Sequence, residues 1–286
     1  MKTMRRLVAL VVLALAGPGA QAVDPARLDY ELAARALAPG VWVVEGANAD
    51  FAPANGCNII NTGFIVSGAG VLVINTGPSK LYGEQLRALI ERTTREPVVQ
   101  VLHLNLHPDY FLGNQAFADV PRRATAATRA GMQREAKSYE DNLYRLCGDW
   151  MKGTQALLPQ QDIAPGVLRI GAREFELREL AGHTASDLVL IDKTSGVVFA
   201  GGLIFHLRLP TTPHAEPKRW LASLDTLAVG QRTVVPSHGP VHRGDAGLVQ
   251  TRDYLRWLDQ SFARWAQEGA EVNDVLRAPM PLAFSA

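Results

Sequence analysis

The chain has 286 residues, a formal net charge of +1 at pH 7 and 47% hydrophobic residues. This near-neutral balance excludes a strongly basic nucleic-acid-binding protein, and it gives no reason to expect an anionic membrane surface as a partner. The hydrophobic fraction allows a sizeable buried core, and the length suits one large α/β domain or two small ones.

Residues 1–22 have the pattern of a secretory signal peptide. A positively charged start that includes Lys2 precedes the apolar run 7–16, and Ala20-Gln21-Ala22 has the A-x-A form of a cleavage site. We therefore predict cleavage after Ala22, a periplasmic or secreted protein, and a single domain over residues 23–286. An uncleaved membrane anchor is the alternative. No later apolar stretch is long enough to span a bilayer, so no membrane span is expected after cleavage.

Short apolar runs separated by turn residues predict strands and helices along the remaining chain. Gly68-Ala69-Gly70 is typical of a hairpin turn, Ser79 can cap the helix that follows it, and Gly269 is typical of a residue that ends a helix. The predicted strands are 40–44, 58–67, 70–75, 98–102, 167–170, 174–180, 188–192, 197–200 and 233–236. The predicted helices begin after Ser79, cover 126–151, begin at Pro217, and cover 246–268.

Clusters of strands separated by helices occur twice along the chain. This order fits an α/β protein of the αββα sandwich type, in which two β-sheets pack face to face and helices cover both outer faces. The periodicity alone also permits a doubly wound parallel sheet.

Polar side chains with metal-binding chemistry lie in loops beside the apolar strands. His107 and Asp109 follow the strand 98–102, and His183 and His238 occupy two later loops of the same kind. Loops at the ends of buried strands are where α/β proteins usually build their sites. A single histidine in such a loop is ordinarily a surface residue or a satisfied core residue, but three in equivalent places indicate a shared site.

The first of these loops resembles the HxHxDH metal-binding signature of the metallo-β-lactamase superfamily. The signature positions are Asn105, His107, Asp109 and Tyr110. The second and third positions match the signature, and the first and fourth are substituted.

Other segments resemble motifs of the same superfamily in the expected order. They are 73–77 with Asn75 in place of an acid, Gly182-His183-Thr184, 199–202 with Gly202 in place of the metal-bridging aspartate, and 235–240 with the last histidine. The resemblance covers roughly residues 41–241. It implies the metallo-β-lactamase fold, which is an αββα sandwich.

Three segments narrow the resemblance to one subgroup. The segments 111–117, 144–151 and 210–215, together with the predicted signal peptide, resemble type 1 quinoprotein relay system zinc metallohydrolases. This resemblance implies association with periplasmic dehydrogenases that use pyrroloquinoline quinone. The subgroup name describes a genomic context more than a reaction, so it says little about the substrate.

The resemblance also implies a ligand set. In dinuclear relatives, two zinc ions are held by the signature, the later histidines and the bridging acid. The metal ligands that this chain retains are His107, Asp109, His183 and His238. The substituted ligand positions are Asn105, Tyr110 and Gly202. Zinc takes about four ligands, or three and a water in catalytic sites. The resemblance therefore predicts one zinc ion shared by the four retained ligands, with a metal-free protein as the alternative.

Two functions from different classes follow. The first is a periplasmic hydrolase in which zinc activates a water molecule and Asp109, as the catalytic residue, holds it. The second is a catalytically silent protein of the same fold that serves as a ligand-binding or accessory factor for a periplasmic quinoprotein system. A β-lactamase is a third interpretation, which the substituted ligands disfavour. A serine nucleophile at Ser237 lacks the G-x-S-x-G elbow.

Four further histidine and threonine residues are considered as parts of the same site. His206, Thr212 and His214 are predicted to line a pocket for a small-molecule substrate or ligand, with ordinary loop residues as the alternative. His103 could replace the ligand lost at Asn105, although a plain strand residue is the simpler interpretation.

Three further positions, one polar and two with thiols, have structural interpretations. Asn75 can still orient a neighbour by hydrogen bonding. Cys57 and Cys147 are the two cysteines of the chain, and in an oxidising compartment they can form a disulfide. The alternative is two small buried residues.

Overall fold

A computed structural model describes residues 28–284 of the chain. The predicted signal peptide, residues 1–22, lies outside this range. No helix within residues 28–284 is both long enough and apolar enough to cross a membrane.

The first sheet contains strands from the first half of the chain in sequence order. The strands β1 to β4 pair antiparallel, whereas β4 to β7 pair parallel. The strands are β1 (Arg35–Ala38), β2 (Val41–Val44), β3 (Thr62–Val66), β4 (Val71–Ile74), β5 (Val98–Leu102), β6 (Arg122–Ala124) and β7 (Gln161–Asp162).

The second sheet contains the remaining described strands, again in sequence order. The pair β11 and β12 is parallel and the other pairs are antiparallel. The strands are β8 (Gly166–Ile170), β9 (Arg173–Leu180), β10 (Asp187–Asp192), β11 (Val198–Phe199), β12 (Thr233–Val235) and β13 (His242–Arg243).

The α-helices connect these strands or follow them. The helices are α1 (Lys80–Thr93), α2 (Pro108–Phe111), α3 (Ala126–Cys147), α4 (Pro217–Thr226), α5 (Ala246–Glu268) and α6 (Val272–Arg277). The side chain of Ser79 accepts a hydrogen bond from the Tyr82 amide, so the predicted cap of α1 is confirmed. Helix α5 has the predicted bounds and ends at Gly269, which has a left-handed backbone.

Strand alternation explains the layers. In β4, Leu72 and Ile74 face a core between the two sheets, whereas Val71 and Val73 face the outer core under α1. In β10 the same period of two places alternate residues in the central core and in the outer core under α4 and α5. Two sheets with helices on both outer faces are the predicted αββα sandwich, so the doubly wound alternative is wrong.

Cys57 and Cys147 form a disulfide, with Cα atoms 6.0 Å apart. The bond joins the segment before β3 to the end of α3, and both residues are buried. Helix α3 is shorter than predicted because Gly148, with φ of 57°, ends it and a 3-10 turn at Gly148–Met151 follows. Strand β3 begins later than predicted because residues 58–61 form a loop that supports the site described next.

Candidate functional site

One turn of helix presents the signature loop at the end of β5. Helix α2 begins at Pro108, directly after His107, and Asp109 and Tyr110 are buried in its first turn. Asn75, at the end of the parallel strand β4, accepts a hydrogen bond from the Leu104 amide through Oδ1 at 3.1 Å. This bond orients the loop, as predicted for Asn75.

Asp109 and His238 form a pair that we call the acid half-site. Asp109 Oδ2 lies 3.5 Å from His238 Nε2 and has no hydrogen-bond partner among the described residues. His238 Nδ1 lies 2.8 Å from the carbonyl oxygen of Ile59, which can only accept. Nδ1 therefore carries the proton of the neutral ring. The lone pair of Nε2 is free and lies on the side of Asp109.

Burial sets the electrostatics of this pair. It raises the pKa of Asp109 to about 7, against smaller opposite effects of a backbone hydrogen bond and of Arg208. Burial also lowers the pKa of His238 to about 3, which the hydrogen bond to Ile59 partly offsets. At neutral pH the half-site therefore holds a neutral imidazole beside a carboxyl group near its midpoint.

Asn61 holds the loop that carries His238. Its Nδ2 donates to the carbonyl oxygens of Pro236 at 3.0 Å and Gly239 at 2.7 Å, and its Oδ1 accepts from the Gly46 amide at 3.1 Å. The side chain is buried and its polar atoms are paired. It therefore fixes the loop to the start of β3.

Asn105, His183 and Asp187 form a second group that we call the amide half-site. Asn105 Nδ2 lies 2.5 Å from Asp187 Oδ1 and 3.2 Å from His183 Nδ1. Asp187 Oδ2 also accepts from the Thr184 amide at 2.8 Å. All three residues of the half-site are fully buried.

Gly202 provides the space that the amide half-site occupies. A Cβ atom at this position would lie 2.0 Å from His183 Nδ1 and 2.9 Å from Asn105 Nδ2. The imidazole of His183 therefore fills the space beside position 202, where the sequence resemblance predicts a substituted metal-bridging aspartate. A carboxylate at position 202 would require that ring to move.

His107 lies beside the amide half-site and contacts a second histidine. Its Nε2 is 3.0 Å from His214 Nδ1, and its ring centroid is 4.7 Å from that of His183. Burial and the neighbouring histidines lower the pKa of His107 well below its usual value. The ring is therefore neutral, and its Nε2 is already engaged with His214.

Tyr110 and His103 are both fully buried. The Tyr110 hydroxyl is buried without a hydrogen-bond partner among the described residues, and burial, then Asp109, raises its pKa well above the usual value. An ionised phenol at this ligand position is therefore strongly disfavoured. His103 is fully buried, and its Nδ1 lies 3.0 Å from the carbonyl oxygen of Tyr110. That bond supports its interpretation as a structural residue.

A cavity of about 270 Å³ opens beside the acid half-site. Its apolar walls are Phe51, Ile59, Pro108, Tyr139 and Pro213. Its polar lining is His107, Asp109, Asn142, Arg208, Thr211, His214 and His238. The cavity therefore combines an apolar body with a small number of convergent polar groups, as small-molecule sites do.

Of the three predicted pocket residues, one lines the cavity and two do not. His214 lines the cavity, whereas Thr211 lines it in place of Thr212. His206 is not among the lining residues. Its ring packs on His242 with centroids 4.2 Å apart, and its Nδ1 lies 3.0 Å from the carbonyl oxygen of Pro240.

The four predicted zinc ligands do not converge on one point. Within residues 28–284, no three His, Cys, Asp or Glu side chains are arranged so that they could hold a metal ion. The predicted ligands instead form two pairs, Asp109 with His238 and His107 with His183. Zinc sites use at least three protein ligands. The arrangement therefore does not fit the single four-ligand zinc ion predicted from the sequence.

Sequence reasoning missed several polar residues of the site, among them Asp187 and Arg208. Asp187 is a buried acid four residues after His183, and this spacing within the loop and strand is the signal that could have found it. Arg208 lines the cavity, and its Nε is buried without a hydrogen-bond partner among the described residues. The conformation of its loop places Arg208 at the cavity, and no local sequence pattern predicts that conformation.

Of the comparisons with known proteins, the one with solved structures found similar proteins. No family model and no curated protein matches the sequence. A metallo-β-lactamase from Pontibacter korlensis is 23% identical, with a TM-score of 0.61 over 79% of this chain and 99% of that one. The metallo-β-lactamase IND-7 is 18% identical, with a TM-score of 0.64 over 80% of this chain and 100% of that one.

A third similar structure was solved with one zinc ion. The metallo-β-lactamase FIM-1 from Pseudomonas aeruginosa, in its mono-zinc form, is 16% identical, with a TM-score of 0.61 over 79% of this chain and 96% of that one. Identities of this size establish architecture and not activity. Together with the two sheets and their helical layers, they show that this chain has the metallo-β-lactamase fold.

Proposed function

We propose that the protein is a ligand-binding or accessory factor of a periplasmic quinoprotein system, built on the metallo-β-lactamase fold and not acting as a zinc hydrolase. In this proposal the mature protein is a single domain over residues 23–286, released into the periplasm by cleavage after Ala22. The cavity beside the acid half-site binds a small organic molecule.

The observation that carries the proposal is the separation of the retained ligands. His107 Nε2 is engaged with His214, and His183 lies in the space of the bridging acid against Gly202. Only Asp109 and His238 face each other without an intervening partner. Two protein ligands are fewer than a catalytic zinc site uses, so ordinary zinc affinity is not expected.

The cavity has the chemistry of a site for a small anionic or carbonyl-bearing molecule. Arg208 is 10% exposed and is anchored to Asp50 at 2.7 Å, while its Nε stays without a hydrogen-bond partner in the described structure. Phe51 and Tyr139 supply apolar and aromatic surface in the same cavity. A ligand with an apolar body and an acceptor oxygen would satisfy both.

Two measurements on the mature protein test the proposal. The first is zinc affinity, by competition with a chromophoric chelator. The second is calorimetric titration with pyrroloquinoline quinone, the probe that the subgroup resemblance provides. We expect no zinc binding at micromolar concentration and saturable binding of the quinone. Arg208→Gln should weaken quinone binding by about tenfold, because it removes a charged donor.

Arg169→Gln is the matched control, since Arg169 is exposed on the hairpin of β8 and β9 and does not line the cavity. One zinc ion bound tightly per chain would contradict the ligand-binding role. Failure of the quinone to bind would remove the quinoprotein part of the proposal.

A second candidate is the hydrolase with one zinc ion. The 3.5 Å separation of Asp109 Oδ2 and His238 Nε2, with the lone pair of His238 free, is the observation in its favour. Zinc-dependent turnover that Asp109→Asn and His238→Ala both abolish would favour this candidate. Equal turnover of ester or thioester substrates in chelator-treated protein would rule it out.

A further inference from the structure

We infer that Asn105 fixes the tautomer of His183, so that His183 is a hydrogen-bond donor through Nε2 and not a metal ligand. The inference rests on the proposed metal-free site and deepens it. Asn105 is thereby the residue that changes the role of the retained histidine.

The orientation of the Asn105 amide is the first step. Its Oδ1 accepts a hydrogen bond from the His107 backbone amide at 2.9 Å. The His107 amide can only donate, so the oxygen and nitrogen of the side chain cannot be exchanged. Nδ2 therefore lies on the side of Asp187 and His183.

The two hydrogens of that nitrogen meet two acceptors. Asn105 Nδ2 lies 2.5 Å from Asp187 Oδ1 and 3.2 Å from His183 Nδ1. His183 Nδ1 and Asp187 Oδ1 are 3.6 Å apart, which is too long for a hydrogen bond. Asn105 thus occupies the carboxylate that would otherwise accept from His183. Nδ1 of His183 must then be an acceptor.

The tautomer follows directly. A neutral imidazole carries one N–H, and if Nδ1 accepts, then Nε2 carries the proton. Metal-ligating histidines use the opposite arrangement, in which the second ring nitrogen donates to a carboxylate or a carbonyl group. His238 has that arrangement through Ile59. His183 does not, because an amide donor faces its Nδ1.

The donor on His183 has no partner in the described structure. Its Nε2 is buried without a hydrogen bond, and its ring is fixed between His107 and Trp220, with centroids 4.7 Å and 4.9 Å away. A buried donor without a partner is destabilising. The described residues therefore leave this donor unsatisfied, and His183 is not among the residues that line the cavity.

Histidine ¹⁵N NMR of the chelator-treated wild-type protein tests the tautomer directly. We expect the His183 signals of a ring protonated at Nε2 and unprotonated at Nδ1, unchanged by one equivalent of zinc. His183→Gln assigns the signals. A ring protonated at Nδ1 would overturn the inference, as would coordination of zinc by Nε2.

Asn105→Ala tests the cause. Without the amide donor, His183 is expected to protonate at Nδ1 and donate to Asp187, and zinc affinity should rise at least tenfold. Asn114→Ala is the control, because Asn114 is also fully buried with two side-chain hydrogen bonds but lies outside this group. An unchanged tautomer in Asn105→Ala would overturn the role of Asn105.

The failures of the two proposals can be separated. If His183 is protonated at Nδ1 while wild-type protein binds no zinc, the inference about Asn105 is wrong and the ligand-binding function stands. If His183 binds zinc through Nε2 in the wild type, both are wrong.

Discussion

The acid half-site contains two of the metal ligands predicted from the sequence, whereas the amide half-site contains one, and the histidines of the two half-sites have different hydrogen-bond partners. In the acid half-site, a carbonyl group accepts from Nδ1 of His238, so the free lone pair lies on the side of Asp109. In the amide half-site, an amide donates to Nδ1 of His183, and Gly202 gives the ring room to lie there. The partner of Nδ1 therefore differs between the two histidines, and we expect this difference to determine which of them keeps a lone pair on Nε2 for a metal.

Different parts of the fold support the two half-sites. The segment 57–61 holds His238 through the Ile59 carbonyl and the Asn61 side chain, and the disulfide fixes this segment to α3. The amide half-site depends on the buried start of β10 instead. Perturbations of one support should therefore affect one half-site more than the other.

Removal of the disulfide is expected to have the largest effect. Cys57→Ala with Cys147→Ala opens a loop with a sequence separation of 90 residues. The free energy of unfolding should fall by about 2–5 kcal/mol, mainly because the unfolded chain gains entropy. Urea unfolding measures this loss, and histidine NMR should show a broadened His238 signal and a largely unchanged His183 signal.

Leu86→Ala is the matched control for that change. Leu86 is fully buried in the outer core under α1, and its truncation should cost a similar free energy of about 2–5 kcal/mol. It should leave both histidine signals sharp. Equal broadening of His183 and His238 in the cysteine variant would contradict separate supports.

Asp109→Asn should have the next largest effect, and it should depend on pH. The pKa of Asp109 is about 7 in the folded protein and near 3.8 without burial. Between these values the folded state holds a proton that the unfolded state has released, so stability falls as pH rises through this window. At about 1.4 kcal/mol per pKa unit, the fall reaches about 4 kcal/mol at most.

The asparagine variant removes this dependence in zinc-free protein. It should be more stable than the wild type at pH 8, by about 2 kcal/mol or more, and similar to it at pH 4. Urea unfolding at the two pH values measures the difference. Asp141→Asn, on the exposed face of α3, is the control and should keep the wild-type dependence. A variant with the wild-type slope would show that Asp109 does not titrate as proposed.

Gly202→Asp tests whether His183 leaves room for a carboxylate at position 202. The added Cβ would lie 2.0 Å from His183 Nδ1, so the ring must move out of its packing against Trp220. Stability should fall by about 1–3 kcal/mol, and zinc affinity should not return. Gly230→Asp is the control for zinc affinity and for the His183 signals, because no atom lies within 4 Å of its Cβ position. Its stability is not compared, because a φ of 56° makes any side chain at Gly230 strained. A stable Gly202→Asp variant that binds zinc would show that His183 does not block a carboxylate at this position.

Much of the fold could be predicted because its signals are local. The cap at Ser79, the bounds of α5 and the alternating burial of β4 each follow from neighbouring residues and the period of the element. The strands β1, β6, β7 and β13 and the helix α6 were missed, because elements of two to six residues carry little measurable period.

The site was predicted less completely because its decisive contacts are long-range. The signature and the three histidine loops identified where the polar residues gather. They could not show that Asn105 would contact Asp187, 82 residues away, or that Ile59 would accept from His238, 179 residues away. The tautomers depend on those contacts, which no pattern of neighbouring residues could reveal.

His214→Ala should have the smallest effect, and it tests the contact between the half-sites and the cavity loop. The variant removes the partner of His107 Nε2 at 3.0 Å, which should cost about 1 kcal/mol because His214 is only partly buried. The ¹⁵N signals of His107 should move, while those of His183 stay. His206→Ala should leave all of these signals in place, since His206 packs on His242. If His206→Ala shifted the His107 signals as strongly as His214→Ala, the shift could not be assigned to the contact between His107 and His214, and the prediction would be wrong.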